Sequence, residues 1–212
     1  AEVDDTYGVT AFGSDGFTVR EQDVAGGQTN TGTVAWQWKA GGGAGSSNTD
    51  GSINTTSTSV NTTAGISIGT YTGTGGAQTV GHGLGKVPSV IILKSRSHAI
   101  DWCVYHKAMT SSPEDGSLTF NDTSAFDDND NRWNDTAPTS SVFTIYSSNE
   151  VNDDGKTYVY YAFAEVKGFS KFGSYTGNAS TNGTYVYTGF RPNFVLYKRT
   201  NDLPGKSGEA GR

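Results

Sequence analysis

Alternation of apolar and polar residues is the main pattern along the chain. Residues 66–69 read Ile-Ser-Ile-Gly, and Val159 separates two tyrosines at 158 and 160. A period of two places successive side chains on opposite faces of a strand. Turn signals such as Asn182-Gly183, a pair that suits a tight hairpin, separate the apolar runs. Because no stretch shows a helical period, the pattern predicts an all-β protein, an antiparallel β-sandwich or jelly-roll-like fold.

The chain also contains an internal repeat. GTYTG at 69–73 is matched by GSYTG at 173–177, and PSVIILK at 88–94 by PNFVLYK at 192–198, both at an offset of 104 residues. Weaker upstream matches, at offsets of 126 and 125, pair 16–19 with 142–145 and 33–38 with 158–163. Each copy predicts a roughly four-stranded unit, with strands at 17–20, 34–39, 66–72 and 87–95, then at 142–147, 157–166, 169–176 and 193–200. We expect the two copies to superpose, whether they share one sandwich or form two.

These matches divide the chain into three parts. The first copy covers residues 1–107, a polar connection covers 108–141, and the second copy covers 142–212. An aromatic strand at 102–106 follows the first copy. The second copy shows no counterpart of this strand, so we expect it to be truncated at its C terminus, with an unpaired sheet edge.

The first copy carries an insertion at 41–64 that is rich in Gly, Ser, Thr and Asn. Its sizeable apolar residues are Ile53 and Val60, too few to offset the entropy of ordering the segment. We therefore expect this insertion to lie outside the core.

Composition narrows the class of protein. The chain has 29 Gly, 28 Thr and 22 Ser but only 5 Leu, which disfavours an all-α fold. The formal net charge is -6 and the 15 Lys and Arg are scattered, so we expect no nucleic-acid partner. No apolar run approaches the roughly 20 residues that cross a bilayer, so no membrane span is predicted. The single cysteine, Cys103, cannot form an internal disulfide.

Catalytic patterns are weak. The chain has no Gly-x-Ser-x-Gly motif, and its possible bases are His82, His98 and His106, with Asp101 nearby in sequence. Glycoside hydrolysis would need paired carboxylates, yet only Glu165 lies in an apolar strand, where a partner of Lys or Arg is the simpler interpretation. The sequence therefore predicts no catalytic residues and no enzyme.

An acidic run offers a candidate cation site. Asp127, Asp128 and Asp130 supply oxygen ligands of the kind that Ca²⁺ prefers, although the run lacks the Gly and Glu of an EF-hand loop. The alternative is an ordinary solvated loop. Calcium is the only cofactor that the sequence suggests.

Aromatic residues near polar loops offer a candidate glycan site. Trp133, Trp102 and Tyr105 adjoin stretches rich in Asn and Asp, and sugar rings stack on such side chains. The alternative places Trp36, Trp38 and Trp102 in the core. Trp133 is the tryptophan that we expect to be exposed.

Several long strings carry a resemblance to a known group of proteins. They are VGHGLG at 80–85 with PSVIILK at 88–94, WNDTAPTSSVF at 133–143, FAEVKGFSKFGSYTGN at 163–178 and YTGFRP at 187–192. Over residues 7–200 the chain resembles an uncharacterised domain in virion proteins of marine tailed bacteriophages. That domain accompanies lectin-like sandwich modules in tail-fibre or capsid-associated proteins.

The resemblance implies a non-enzymatic structural and adhesive virion component at the particle surface. Its expected partners are other virion subunits, further copies of itself and a host surface glycan. Two alternatives stay open, a tail-associated polysaccharide depolymerase and a secreted bacterial lectin-like adhesin. A depolymerase requires two carboxylates in one cleft.

Overall fold

A computed structural model describes residues 9–19 and 35–201. In these ranges the protein is built from antiparallel β-strands, which confirms the all-β prediction. The strands are β1 (Val9–Phe12), β2 (Phe17–Val19), β3 (Ser57–Asn61), β4 (Ile66–Thr72), β5 (Gln78–Gly81), β6 (Val90–Ser95), β7 (Cys103–His106), β8 (Gly116–Thr119), β9 (Asp127–Asp128), β10 (Val142–Ile145) and β11 (Thr157–Phe163). A one-turn 3₁₀ helix covers Pro113–Asp115. Within the described ranges no helix has the length and apolar character to cross a membrane.

The largest element is a seven-stranded sheet in the order β3-β4-β11-β6-β7-β8-β9. Strand β11, the last of these along the chain, lies between β4 and β6 and pairs antiparallel with both. In this register Tyr160 is opposite Gly69 on one side and Leu93 on the other. The sheet therefore joins strands from two distant parts of the sequence.

Strands β5 and β10 form a separate two-stranded antiparallel sheet that contacts the large sheet through Tyr160. The ring of Phe143 meets Tyr160 edge-on, with the ring centroids 5.3 Å apart. The Tyr160 hydroxyl also donates a hydrogen bond to the Gly81 carbonyl at 3.1 Å. The core cluster contains residues of both sheets and includes Tyr71, Val80, Ile91, Leu93, Phe143, Ile145, Val151, Tyr158 and Tyr160.

The chain divides into two compact units, residues 1–38 and residues 39–212. In the first unit β1 and β2 form an antiparallel hairpin, with an irregularity in register between Val9 and Ala11. The two sheets described above belong to the second unit.

Several predicted strands are confirmed. The strand predicted at 66–72 has the same bounds as β4. Four other predictions differ from the observed strand by one to three residues at one end; these strands are β6, β7, β10 and β11. The prediction at 17–20 corresponds to β2, although residue 20 lies outside the described residues, as do residue 34 and the polar string at 203–212.

Other predicted strands are wrong. Residues 35–39, 169–176 and 193–200 adopt no strand in the structure. Tyr71 lies in β4 and is 1% exposed, whereas Tyr175 lies outside any strand and is 56% exposed, so the expected superposition does not occur. Alternation of apolar and polar residues raises the propensity for a strand but does not fix which backbone groups pair in a sheet.

The expectation that residues 41–64 lie outside the core is also wrong. Ile53 is buried, and β3 pairs with β4 along five residues. Thr58 donates a hydrogen bond to Thr55 at 2.8 Å, and its hydroxyl lies 3.1 Å from that of Tyr160. Main-chain pairing and buried hydroxyl contacts hold this segment, although it has few apolar side chains.

Candidate functional site

The predicted glycan-binding residues do not form an exposed platform. Trp133 is 2% exposed, so the prediction of an exposed tryptophan is wrong. Tyr105 is buried as well and meets Trp133 edge-on at 5.8 Å. Trp102 is half-buried and stacks on Tyr161, with the ring centroids 6.4 Å apart. Of the three residues, only Trp102 keeps appreciable exposure.

A tight turn directs Trp133 inward. Asn134 and Asp135 have positive φ angles of 52° and 46°. The N–H of Asn134 donates to the Asp130 carbonyl at 2.8 Å, which bends the polar run back on itself. The sequence signal for the burial of Trp133 was its position as a single large aromatic residue inside a long polar run. Conversely, Trp36 and Trp38, proposed above as core residues, are 56% and 46% exposed.

The acidic run is organised around an arginine. Arg132 donates to Asp127 at 2.7 Å through Nη1 and to Glu150 at 2.6 Å through Nε. In the part of the chain that the structure describes, no three His, Cys, Asp or Glu side chains come close enough to hold a metal ion. Asp128 and Asp130 join no such group, and calcium binding stays a prediction from the sequence.

Two of the three histidines accept hydrogen bonds from backbone N–H groups two residues further along the chain. His82 is fully buried, accepts a hydrogen bond at Nδ1 from the N–H of Leu84 (3.2 Å) and donates from Nε2 to the Thr139 carbonyl (3.2 Å). Burial lowers the pKa of His82, consistent with this neutral form. His106 likewise accepts at Nδ1 from the N–H of Ala108 at 3.1 Å.

The third histidine contacts a serine that no substrate can reach. Ser95 Oγ lies 2.8 Å from Nδ1 of His98, but Ser95, the last residue of β6, is fully buried. The carboxylate of Asp101 accepts a hydrogen bond from the side-chain amide of Asn121 at 2.8 Å. This arrangement offers no accessible nucleophile next to a base.

Glu165 has the properties of an ion-pair partner. Its carboxylate accepts hydrogen bonds from Lys107 at 2.8 Å and Lys171 at 2.6 Å. These contacts lower the pKa of Glu165 to about 2, whereas a general acid must hold its proton near neutral pH. The structure thus shows the Lys partnership that the sequence favoured.

The most distinctive surface is a stretch that we call the aromatic segment, residues 169–197. Tyr185 is 85% exposed, and Tyr187 and Tyr197 are each 76% exposed. Its other large exposed side chains are Phe169, Tyr175, Val186, Phe194, Val195 and Leu196. No residue of this segment belongs to a strand. So many exposed apolar side chains in one stretch are typical of an interaction surface.

Polar contacts attach the chain at the far end of the aromatic segment to the loop between β8 and β9. The Lys198 ammonium donates to the carbonyls of Asp122 at 3.0 Å and Ser124 at 3.1 Å. The N–H of Phe126 donates to the Thr200 carbonyl at 3.0 Å. The segment is therefore held near this end. Within it Phe172 packs against Phe163 and His106, while most of its other aromatic side chains are exposed.

These features define an all-β antiparallel protein whose most exposed apolar side chains lie largely outside its sheets. A family model described as a domain of unknown function, DUF7483, matches residues 1–204. The chain belongs to this family. No curated protein and no solved structure matches it.

Proposed function

We propose that the protein is a non-enzymatic structural and adhesive component of a phage virion, displayed on a tail fibre or on the capsid surface. The observation that carries this proposal is the aromatic segment. A chain that exposes Tyr185, Tyr187 and Tyr197 outside its sheets has a surface suited to contact with other molecules. The resemblance of residues 7–200 to virion proteins supports the same conclusion.

Host attachment follows from the chemistry of this surface. Tyrosine presents both an apolar ring, on which a sugar can stack, and a hydroxyl that hydrogen-bonds to sugar hydroxyls. The aromatic segment therefore replaces Trp133 and Tyr105 as the proposed contact with a host glycan, and Trp102 stays a secondary candidate.

We also propose that the β5–β10 sheet is the smaller layer of a β-sandwich built from the two sequence copies. The contact of Phe143 in β10 with Tyr160 in β11 supports the two layers, since it joins the smaller sheet to the larger one. The pairing of β10 with β5 supports the contribution of both copies, since β5 lies in the first copy and β10 in the second. Glu165, with its pKa near 2, argues against the depolymerase alternative.

The test has two readouts. Antibodies against the protein should label intact phage particles that encode it, at the tail fibre or the capsid surface. The protein should also bind host cells, and the double variant Tyr185→Ala/Tyr187→Ala should lose most of that binding. A matched control, Tyr146→Ala, removes a tyrosine outside the aromatic segment. Unlabelled particles would contradict the virion role, and unchanged binding by the double variant would contradict the adhesive role of this segment.

A further inference from the structure

The aromatic segment contains the only Asn-Gly pair in the sequence, at residues 182 and 183. Such a pair favours a tight hairpin turn, yet no strand flanks it in the described residues. Both residues are exposed, and a Cβ added at Gly183 would have nothing within 4 Å. The pair therefore lies in an irregular and accessible part of the chain, where little crowds the backbone of Gly183.

Hydrogen bonds hold the main chain of Asn182 but not its side chain. Its N–H donates to the Ser180 hydroxyl at 3.2 Å, and its carbonyl accepts from the side-chain amide of Asn178 at 3.1 Å. In the part of the chain that the structure describes, no hydrogen bond involves the side-chain amide of Asn182. That amide can therefore rotate towards the nitrogen of Gly183.

We propose that Asn182 is a site of spontaneous covalent modification, at which the chain deamidates to aspartate and isoaspartate. The backbone nitrogen of Gly183 loses its proton to hydroxide and attacks Cγ of Asn182. The new N–Cγ bond forms as the Cγ–Nδ2 bond breaks, and the leaving nitrogen takes a proton from water and departs as ammonia. Water then opens the succinimide ring at either of its carbonyls and leaves a carboxylate. Solvent is the only co-reactant, and no atom is oxidised or reduced.

Glycine at 183 makes the attack sterically easy. A Cβ at this position would shield the backbone nitrogen that must approach Asn182, and glycine has none. Glycine also reaches backbone conformations that other residues avoid, so the chain can adopt the geometry of a five-membered ring.

Other asparagines are protected by their contacts. The side chain of Asn178 accepts a hydrogen bond from the Ser180 N–H at 3.1 Å as well as donating to Asn182. The residue that follows it, Ala179, has a Cβ and a positive φ of 54°. Asn152 is fully buried and its amide donates to a main-chain carbonyl at 2.7 Å. The modification at Asn182 therefore precedes modification at either of these positions.

The reaction changes the charge of the aromatic segment. Each event exchanges a neutral amide for a carboxylate, which takes the formal net charge of the chain from -6 to -7. The new charge lies close in sequence to Tyr185, which is 85% exposed. This inference does not rest on the proposed function, since the reaction depends only on the chemistry of this turn and on solvent.

The experiment incubates the unmodified protein over days in neutral and in mildly alkaline buffer. We expect isoelectric focusing to show a more acidic form that accumulates with time, and faster at the higher pH because hydroxide removes the proton of Gly183. This form should migrate with the variant Asn182→Asp. Peptide mapping by mass spectrometry should place most of the change at Asn182, and a protein isoaspartyl methyltransferase should label the isoaspartate product.

The matched control is Gly183→Ala, which keeps Asn182 and adds a methyl group in open space. It should accumulate the acidic form several-fold more slowly than the unmodified protein, while circular dichroism shows the same fold. Three results would overturn the proposal. They are the absence of an acidic form, equal rates in the unmodified protein and the control, and modification of Asn178 as fast as that of Asn182. The first and third need no variant, so they decide the matter even if the substitution disturbs the turn.

Discussion

The contact between Gly69 and Tyr160 shows how one residue sets the spacing of the large sheet. A Cβ added at Gly69 would lie 2.5 Å from the Tyr160 ring, well inside van der Waals contact. The same ring reaches Gly81 and Thr58 through its hydroxyl. Glycine at 69 therefore lets the Tyr160 side chain of β11 cross β4, so that its hydroxyl reaches Thr58 in β3 and Gly81 in β5.

Replacing this glycine should destabilise the fold. The variant Gly69→Ala forces the Tyr160 ring to move, and overpacking of this kind costs about 1–3 kcal/mol. Urea unfolding followed by circular dichroism measures the change. The control is Gly173→Ala, since Gly173 is the repeat counterpart of Gly69 and has open space around it. Equal losses of stability in the two variants would disprove this account.

At the scale of elements, strands could be predicted from the sequence where apolar and polar residues alternate. The prediction failed where a strand forms mainly through hydrogen bonds to a neighbouring strand. Strands β4 and β11 were evident because Ile66 and Ile68 alternate with polar residues and the tyrosines at 158 and 160 flank Val159. The tyrosines supply the core face of β11, whereas in β4 the isoleucines lie on the opposite face from buried Tyr71. Strand β3 was missed because it is polar and depends on main-chain bonds to β4. The residues at 193–200 have the pattern of β6 but adopt no strand in the described part of the chain. The local pattern of apolar residues gives a propensity for strand, whereas the pairing of strands depends on the other strands of the sheet.

The candidate site was less predictable than the fold for a related reason. Trp133 and Tyr185 both lie near polar residues in the sequence, yet one is buried and the other is 85% exposed. Burial of a lone aromatic residue depends on which elements fold over it, and those contacts come from distant parts of the chain.

The contribution of the polar strand β3 can be measured with one substitution. The variant Thr58→Val keeps the shape of the side chain but removes its hydrogen bonds to Thr55 and Tyr160. Because it removes two buried hydrogen bonds, each with a net value of about 0.5–1.5 kcal/mol, we expect a loss of about 1–3 kcal/mol in the free energy of unfolding. The hydroxyls of Thr55 and Tyr160 keep their bonds with the Asn48 N–H and the Gly81 carbonyl. The matched control, Thr56→Val, changes an exposed neighbour in the same segment. If the two variants melt at the same temperature, the buried hydroxyls do not hold β3.

At the scale of the whole molecule, buried His82 and half-buried His106 link stability to pH. Burial lowers the pKa of His82, and burial together with neighbouring Lys107 lowers that of His106. The unfolded chain then binds protons at a higher pH than the folded chain does. Stability from these groups is complete above the ordinary histidine pKa of 6.5 and declines as pH falls from there towards the folded pKa.

Thermal melts between pH 8 and pH 5 test this linkage. The double variant His82→Gln/His106→Gln should show a shallower fall in melting temperature below about pH 6.5 than the unmodified protein. The chosen range stays above the ordinary pKa of Glu165, 4.5, so that carboxylate adds little to the slope. Identical slopes for the two proteins would rule out a contribution from these histidines.

The central position of β11 also determines when this sheet can form during synthesis. About sixty residues separate the end of β6 from the start of β11, so β4 and β6 leave the ribosome long before the strand that joins them. Until then both strands expose edges that can pair with other nascent chains. Closing so long a loop also slows folding, as it does in other proteins dominated by distant contacts. A pause in translation before residue 157 would lengthen the interval in which this protein is most prone to aggregate.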